Sequence, residues 1–309
     1  MLRFGTSMWL AASRDEWRQQ AQRAEASGFD TIFVADHVGM LDPFAAMMAV
    51  AEATERVTVG TYVLNVEFWN PLLLARAAAS VDLLTSGRLL LGIGAGHARV
   101  EFEQAGLDYP PPPERVTRLE RVVAALRRLL DGDTVDDEAL GLRGASTGIA
   151  PARSHVPLLV GGNGDRVLRI AGARADVAGL VGFTSGTGQR HRNLSHWTFD
   201  GLRDRIEAVR AGVVAAGRRD LGDRGVPVLD LLVQRVVVTD DRAGAIRDLA
   251  EATGTDPEMH LDSPFVLVGT EDEIEAQLRR THEELGVDGV TVFAAFADSL
   301  APVVERLRR

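Results

Sequence analysis

The sequence predicts a (β/α)8 TIM barrel, and three observations carry that prediction. Short β-branched and aliphatic runs alternate with longer amphipathic ones from the first residues onward. The runs that read as strands are apolar throughout instead of at every second position, the pattern of parallel strands covered on both faces. Eight such strand and helix units fit the 309 residues, since α/β barrels commonly run as single domains of roughly 250 residues. An open doubly wound sheet uses the same units and is the alternative.

The elements follow in order. Leu2 to Met8 reads as a strand, and Arg14 to Ser27 as a helix with Ser13 as its N-cap and Gly28 as its stop. Thr31 to Ala35 is the second strand; the helix from Pro43 to Thr54 has Asp42 as cap and Pro43 at the first helical position, where its missing N–H costs nothing. Val57 to Leu64 is the third strand, followed by a helix from Pro71 to Leu84, and Leu89 to Ala95 is the fourth. Strands at Pro157 to Val160, Val177 to Val181, Leu229 to Thr239 and Val287 to Ala294 continue the series. Helices accompany them at Asp165 to Arg174, Phe199 to Ala216, Arg242 to Ala252, Glu271 to Leu285 and Ser299 to Arg308. Phe265 to Gly269 reads either as a ninth strand or as an extended lead-in to the helix at Glu271.

Insertions are expected after strands four, six and seven of a single domain, residues 1–309. Tyr109 to Pro113 holds four consecutive prolines and is expected to be extended and stiff. Gly132 to Arg153 is polar and glycine-rich, an excursion from the barrel. Phe183 to Thr198 is a long irregular connection after strand six, placed where a lid would sit on the catalytic face.

Composition excludes whole chemistries. With no cysteine and no lysine, so that all 34 basic residues are arginine, the chain has no thiol nucleophile, Cys-ligated zinc, Schiff-base amine or P-loop lysine. A formal charge of −10 argues against nucleic acid and anionic membrane as partners and leaves small molecules. The amino terminus lacks a signal-peptide layout and no apolar run approaches ~18 residues, so a cytoplasmic protein is expected.

In a barrel, function collects where strands end. Strand one ends at Trp9, strand two at Asp36-His37, strand three at Asn65 to Asn70 with Trp69, strand four at Gly94-Ala95-Gly96-His97, and strand five at Gly161-Gly162-Asn163-Gly164-Asp165. His37 is the catalytic candidate, because imidazole exchanges protons near neutral pH; the competing role is capping of the helix that follows. Asp36, its neighbour on a strand, points the other way, so no direct relay between them is assumed. The Gly161 to Asp165 turn opens a helix and can gather backbone N–H groups on an anion, or can be an ordinary turn capped by Asn163 or Asp165. The stretch Gly92 to His97 puts histidine where G-x-G-x-x-G needs its last glycine, so a Rossmann dinucleotide site is poorly supported. His191 and His196 share a loop without acidic partners and read as solvated surface, which leaves no metal site.

These residues carry a resemblance. Asp36-His37, the run Val57 to Asn65, Ser86-Gly87-Arg88-Leu89 leading into Gly92 to Gly96, Leu159 to Gly164 and Val268 to Ile274 are similar to the bacterial luciferase-like oxidoreductases. Within that family the chain most resembles the actinobacterial members that use the deazaflavin coenzyme F420. The resemblance implies a barrel with the cofactor at the carboxyl ends of the strands. Asp36 and Asn65 would lie near its ring, a non-proline cis peptide at Tyr62-Val63 behind it, and Gly161, Gly162, Asn163 and Gly164 about its phosphate. It also implies hydride transfer between the deazaflavin and a small organic substrate (C=C, C=N or alcohol/carbonyl), His37 moving the accompanying proton. Trp9, Trp69 and His97 would line the substrate side, and Arg190 and Arg192 could meet a carboxylate. A homodimer is expected. The alternatives are an FMN-dependent monooxygenase of the same family and a flavin-binding barrel without turnover.

Overall fold

The computed structural model describes residues 1–185, 192–218 and 226–308. Eight parallel strands close a barrel: β1 (Arg3–Met8), β2 (Thr31–Val34), β3 (Thr58–Thr61), β4 (Leu89–Gly94), β5 (Leu158–Gly162), β6 (Val177–Leu180), β7 (Val228–Val233) and β8 (Val287–Phe293). Each pairs with the next, and β8 returns to β1 with Gly5 opposite Thr291. Past Thr61 the third strand breaks and resumes as Leu64–Asn65 against the end of β4. Between the two pieces lies the Tyr62–Val63 peptide, which is cis, as the resemblance implies.

The principal outer helices are α1 (Arg14–Ala26), α2 (Pro43–Ala53), α3 (Pro71–Leu84), α4 (Pro112–Leu130), α5 (Asp165–Arg174), α6 (Phe199–Ala215), α7 (Glu271–Leu285) and α8 (Ala297–Leu307). Their starts are fixed by the expected chemistry. Ser13, Asp42, Asn70 and Thr198 each accept a backbone N–H of the following turn, and Thr270 with Glu273 forms a reciprocal capping box. The helix α4 is absent from the sequence-based expectation. The prolines that mark an extended segment also start it: Pro112 and Pro113 occupy the first turn, where a missing N–H breaks no helical bond.

Two expectations change. The seventh strand, expected as one run to Thr239, ends in the barrel at Val233, and Arg235–Val238 pairs instead with Val266–Gly269 in a separate two-stranded sheet. At the junction Gln234 turns its side-chain amide back on the Leu232 carbonyl while its N–H donates to Phe265. Phe265 to Gly269 is therefore a strand, but not a ninth member of the barrel. The polar stretch after α4 holds a hairpin, Val135–Asp137 against Leu142–Ala145, anchored by buried Leu140 and Leu142.

The inner face of the barrel is unusually small. Gly5, Gly60, Gly92, Gly161, Gly179 and Gly289 stand at inward register positions on six strands. The space they leave is filled by Phe33, Tyr62, Leu90 and Leu159. A Cβ at Gly179 would lie 2.7 Å from the Tyr62 ring, and one at Gly161 would lie 2.9 Å from Val63. Among these rings sits Asp230, buried, its Oδ2 accepting the Thr291 hydroxyl at 3.1 Å. Tyr62 donates its hydroxyl to the Asp230 carbonyl at 3.4 Å.

Burial pushes the Asp230 carboxyl up to about 6, against an ordinary value of 3.8. A raised acid favours the protonated folded state, so its contribution is full below pH 4 and is lost as pH rises toward 6. Above that it costs about 3 kcal/mol relative to the protonated form. The variant Asp230→Asn keeps the acceptor for Thr291 without the charge. Its stability in urea relative to the parent is expected to rise by up to about 3 kcal/mol between pH 4 and 7.5; a difference flat across that window contradicts the account.

Candidate functional site

The polar residues singled out at the strand ends come together at the carboxyl-terminal rim, and they divide into two groups. Asp36 and His37 follow β2 and meet different partners, Asp36 in the segment after β3 and His37 in the segment after β4. The Asp36 carboxylate accepts the Asn65 backbone N–H and the Trp69 indole N–H, both at 3.0 Å. Burial raises the Asp36 carboxyl above its ordinary range, while the two donors pull it back. Asn65 is itself buried, and its amide oxygen accepts the Glu67 N–H at 3.1 Å. Gly96, at a φ of +71°, wraps so closely over the Asn65 side chain that no Cβ would fit.

His37 turns instead toward the segment after β4. Its Nδ1 lies 2.6 Å from Oε1 of Glu101, and the His97 ring stands edge-on to it with centroids 5.7 Å apart. A carboxylate can only accept, so Nδ1 carries the proton and Nε2 is the atom left to exchange one with a ligand. Helix capping, the competing role for His37, falls to Asp42.

Glu101 was not among the sequence candidates. It lies on the short helix Arg99–Ala105, four residues past His97, and the signal for it was an acidic residue on the helix that opens after a rim strand. The proline segment holds this region: Tyr109 donates its hydroxyl to the His97 carbonyl at 3.2 Å, packs edge-on to Phe102, and lies under the Arg115 guanidinium. Arg118 on α4 pairs with Glu67 at 3.3 Å and donates to the Trp69 carbonyl.

The second group surrounds the glycine turn after β5. Gly164 is the N-cap of α5 and no side chain caps that helix, so neither Asn163 nor Asp165 closes it as an ordinary turn would. Asn163 is 4% exposed, and its Oδ1 is buried without a partner. Its carbonyl accepts from Arg205 of α6 at 3.1 Å, and Arg205 also pairs with Asp165. Gly172 and Gly212 bring the backbones of α5 and α6 into contact, since a Cβ at either would strike a carbonyl of the other helix. That close approach lets Arg205 reach the turn. Arg205 could have been found in the sequence, because it falls on the apolar stripe Leu202, Ile206 and Val209.

His196 departs from its expected solvated place. It is half-buried, 3.5 Å from the Asn163 amide, and burial together with Arg205 holds its pKa below the usual range. Trp9 stands on the β1 and β8 side of the rim, edge-on to Phe293 at 4.8 Å. Trp69 lies behind Asp36 with its ring on Phe44. Val63 fits between the ends of β4 and β5, where Gly94 and Gly161 leave it room. The connection after β6 begins and ends in a short antiparallel pair, Thr184–Ser185 with Arg192–Asn193; Arg190 and the Arg192 side chain lie outside the described residues. Among the described residues no group of three His, Asp or Glu is placed to hold a metal, and no helix is long and apolar enough to cross a membrane.

The luciferase-like monooxygenase family model matches residues 2–260. The chain is 37% identical over 208 residues to the F420-dependent glucose-6-phosphate dehydrogenase of Mycolicibacterium fortuitum, covering 63% of this chain and 58% of the relative. To the enzyme of that name from Nakamurella multipartita it is 30% identical over 302 residues, covering 93% of this chain and 80% of the relative. The match to the first curated relatives spans between 53% and 58% of their length. Among solved structures, an F420-dependent secondary alcohol dehydrogenase in complex with an F420–acetone adduct superposes with a TM-score of 0.79 at 20% identity, covering 100% of this chain and 99% of that one. At that identity the likeness is one of fold.

Trp69→Phe tests the linkage between the two strand ends. It removes the indole donor while keeping an aromatic ring against Phe44, so the Asp36 carboxyl is expected to titrate at higher pH than in the parent. Carbon-13 NMR of the labelled carboxyl reads this directly, and an unmoved midpoint rejects the hydrogen bond as a determinant.

Proposed function

Because the chain belongs to the luciferase-like monooxygenase family, matched over residues 2–260, we propose that it is a coenzyme F420-dependent oxidoreductase moving a hydride to or from a small organic molecule. One observation carries the reading. A histidine whose tautomer is fixed by Glu101 stands on the same rim as a helix N-terminus whose first-turn N–H donors have no side-chain cap. Those are the two things a proton-coupled hydride transfer with a phosphorylated cofactor needs from its protein.

The residues present fit such a cofactor. Nothing lies within 4 Å of the Cβ position of Gly164, and the N–H groups of the first turn of α5 have no side-chain cap, so Gly161 to Gly164 can take a phosphate through the backbone. That suits a chain without lysine. Val63, Asn65 and Asp36 would meet the ring. When bound, the deazaflavin supplies or takes up the hydride. The protein's share is positional and protic. Asp36 locks Asn65 and Trp69 into one wall. Glu101 keeps Nδ1 protonated and offsets the positive charge on the imidazole when Nε2 takes a proton. Single-domain action over 1–309 in the cytoplasm is part of the reading, and exposed Leu73, Leu83 and Leu84 on α3 support a homodimer. Light scattering at micromolar concentration is expected to return twice the chain mass, and a monomer rejects that part.

Titration of the purified chain with F420 and with FMN, followed by fluorescence, tests the cofactor: F420 is expected to bind, and tight FMN binding without F420 binding overturns the proposal. A cofactor-reoxidation screen across ketones, enones, imines and nitro compounds then supplies a substrate. With it, His37→Asn is expected to lower kcat by about 10²–10⁴-fold with F420 affinity within a few-fold. Glu101→Gln is expected to lower kcat less, with KM unchanged. Unaltered turnover in His37→Asn removes the histidine from the mechanism.

A further inference from the structure

The turn that opens α5 carries a charge that works against a phosphate. Asp165 is the first residue of the helix, one place past Gly164. An acidic side chain there suits the positive end of a helix dipole by itself, but a phosphate gathered on the same N–H groups would meet a carboxylate of its own sign. The chain has no lysine to offset it. Arg166, the next residue, faces α4 instead, where it pairs with Glu120 at 2.7 Å and donates to Thr117 and to the Pro113 carbonyl.

Arg205 of α6 brings a compensating charge from 40 residues away. One nitrogen, Nη1, donates both to the Asn163 carbonyl, at 3.1 Å, and to Oδ1 of Asp165. That bridge spans Gly164, so a single donor ties the two ends of the turn together. The hydrogen bond and the charge of Arg205 hold the Asp165 carboxyl below its ordinary range, and it is ionised at neutral pH. The arginine is 8% exposed and its Nε is buried without a partner, an expensive group to keep for packing alone. It reaches the turn only because the helices touch. A Cβ at Gly172 would lie 2.0 Å from the Val209 carbonyl oxygen, and one at Gly212 would lie 2.1 Å from that of Arg169.

We propose that Arg205 is a positioning residue that gives this turn its selectivity for a phosphorylated cofactor over the same ring system without phosphate, because through one nitrogen it fixes the turn and cancels the Asp165 charge. The inference rests on the cofactor reading above for the phosphate, and on the contact of α5 with α6 for the role of the arginine. Two effects follow from the bridge. Without the guanidinium, the Asn163 carbonyl loses this donor and the Asp165 carboxylate faces the phosphate uncompensated. Both changes weaken the hold on phosphate, and neither touches the ring, which is assigned to Asp36, Asn65 and Val63. Without the carboxylate, the guanidinium keeps the carbonyl and its charge acts on the phosphate undiminished.

Fluorescence titration of the parent and its variants with the deazaflavin riboside and with the riboside 5′-phosphate, which differ only in the phosphate, decides the matter without turnover. The parent is expected to favour the 5′-phosphate. Arg205→Met is expected to weaken the 5′-phosphate about tenfold and to leave the riboside within about twofold. Adding Asp165→Asn to Arg205→Met is expected to restore part of that loss, which an arginine with a merely structural role would not allow. Asp165→Asn alone changes a side chain that is 59% exposed; it is expected to tighten the 5′-phosphate about threefold and not the riboside, and it carries the test should Arg205→Met fail to fold. Equal weakening of both ligands by Arg205→Met without recovery, or a 5′-phosphate affinity that Arg205→Met does not lower or Asp165→Asn does not raise, overturns the inference. When the parent binds F420, such results count against Arg205 and leave the cofactor reading standing. A parent that takes FMN in place of F420 refutes the cofactor reading, and riboflavin and FMN then judge Arg205 by the same criteria; one that takes neither refutes both.

Discussion

A closed barrel of eight strands has a fixed interior to fill, and this chain fills it from few side chains because so much of its inner face is glycine. Six strands present glycine inward. The Tyr62 ring and Val63 occupy that room, pressed against Gly161 and Gly179. Everything above depends on this packing. The third strand leaves the barrel wall at Tyr62, rejoins it at Leu64, and thereby delivers Asn65 and Trp69 to Asp36. A larger residue at either glycine would displace the ring, and with it the segment that forms one wall of the site.

The rim is organised by a division of labour between neighbours. Asp36 faces the third strand and holds structure, whereas His37 faces the fourth and is left with one ring nitrogen for chemistry. The excursion after β4 positions the histidine's partner from outside the barrel, through Tyr109, Arg115 and the proline-led helix α4. On the other side, two helical glycines bring α6 against α5 and place Arg205 on the Asn163 carbonyl. Neither half of the site is built by strand ends alone.

Much of this was legible in the sequence, for identifiable reasons. Apolar runs and N-caps are local signals, so the strands up to β6 and most helix starts could be read one at a time, as Ser13, Asp42 and Asn70 show. The strand-end residues were legible because the barrel topology says where strand ends go. What escaped depended on contacts across the chain. Glu101 matters through a histidine 64 residues away, and Arg205 through a carbonyl 42 residues away. The strand at Arg235–Val238 has the same apolar pattern as the barrel strand before it, and only its pairing with Val266–Gly269 sets it apart. The prolines before α4 carry two signals at once, stiffness and fitness for a helix's first turn, and the local sequence alone does not say which prevails at Pro112 and Pro113.

The rim offers imidazole, indole, carboxylate and guanidinium, and the chain has no thiol or ε-amine anywhere to add to them. Ketones and aldehydes condense with amines, and conjugated carbonyls add to thiols. A carbonyl compound that reaches the rim therefore meets neither an ε-amine with which to form an imine nor a thiol to add to it. Two of the commonest routes by which carbonyl compounds modify proteins are thus closed to the side chains of this rim, and its imidazoles are the nucleophiles that remain.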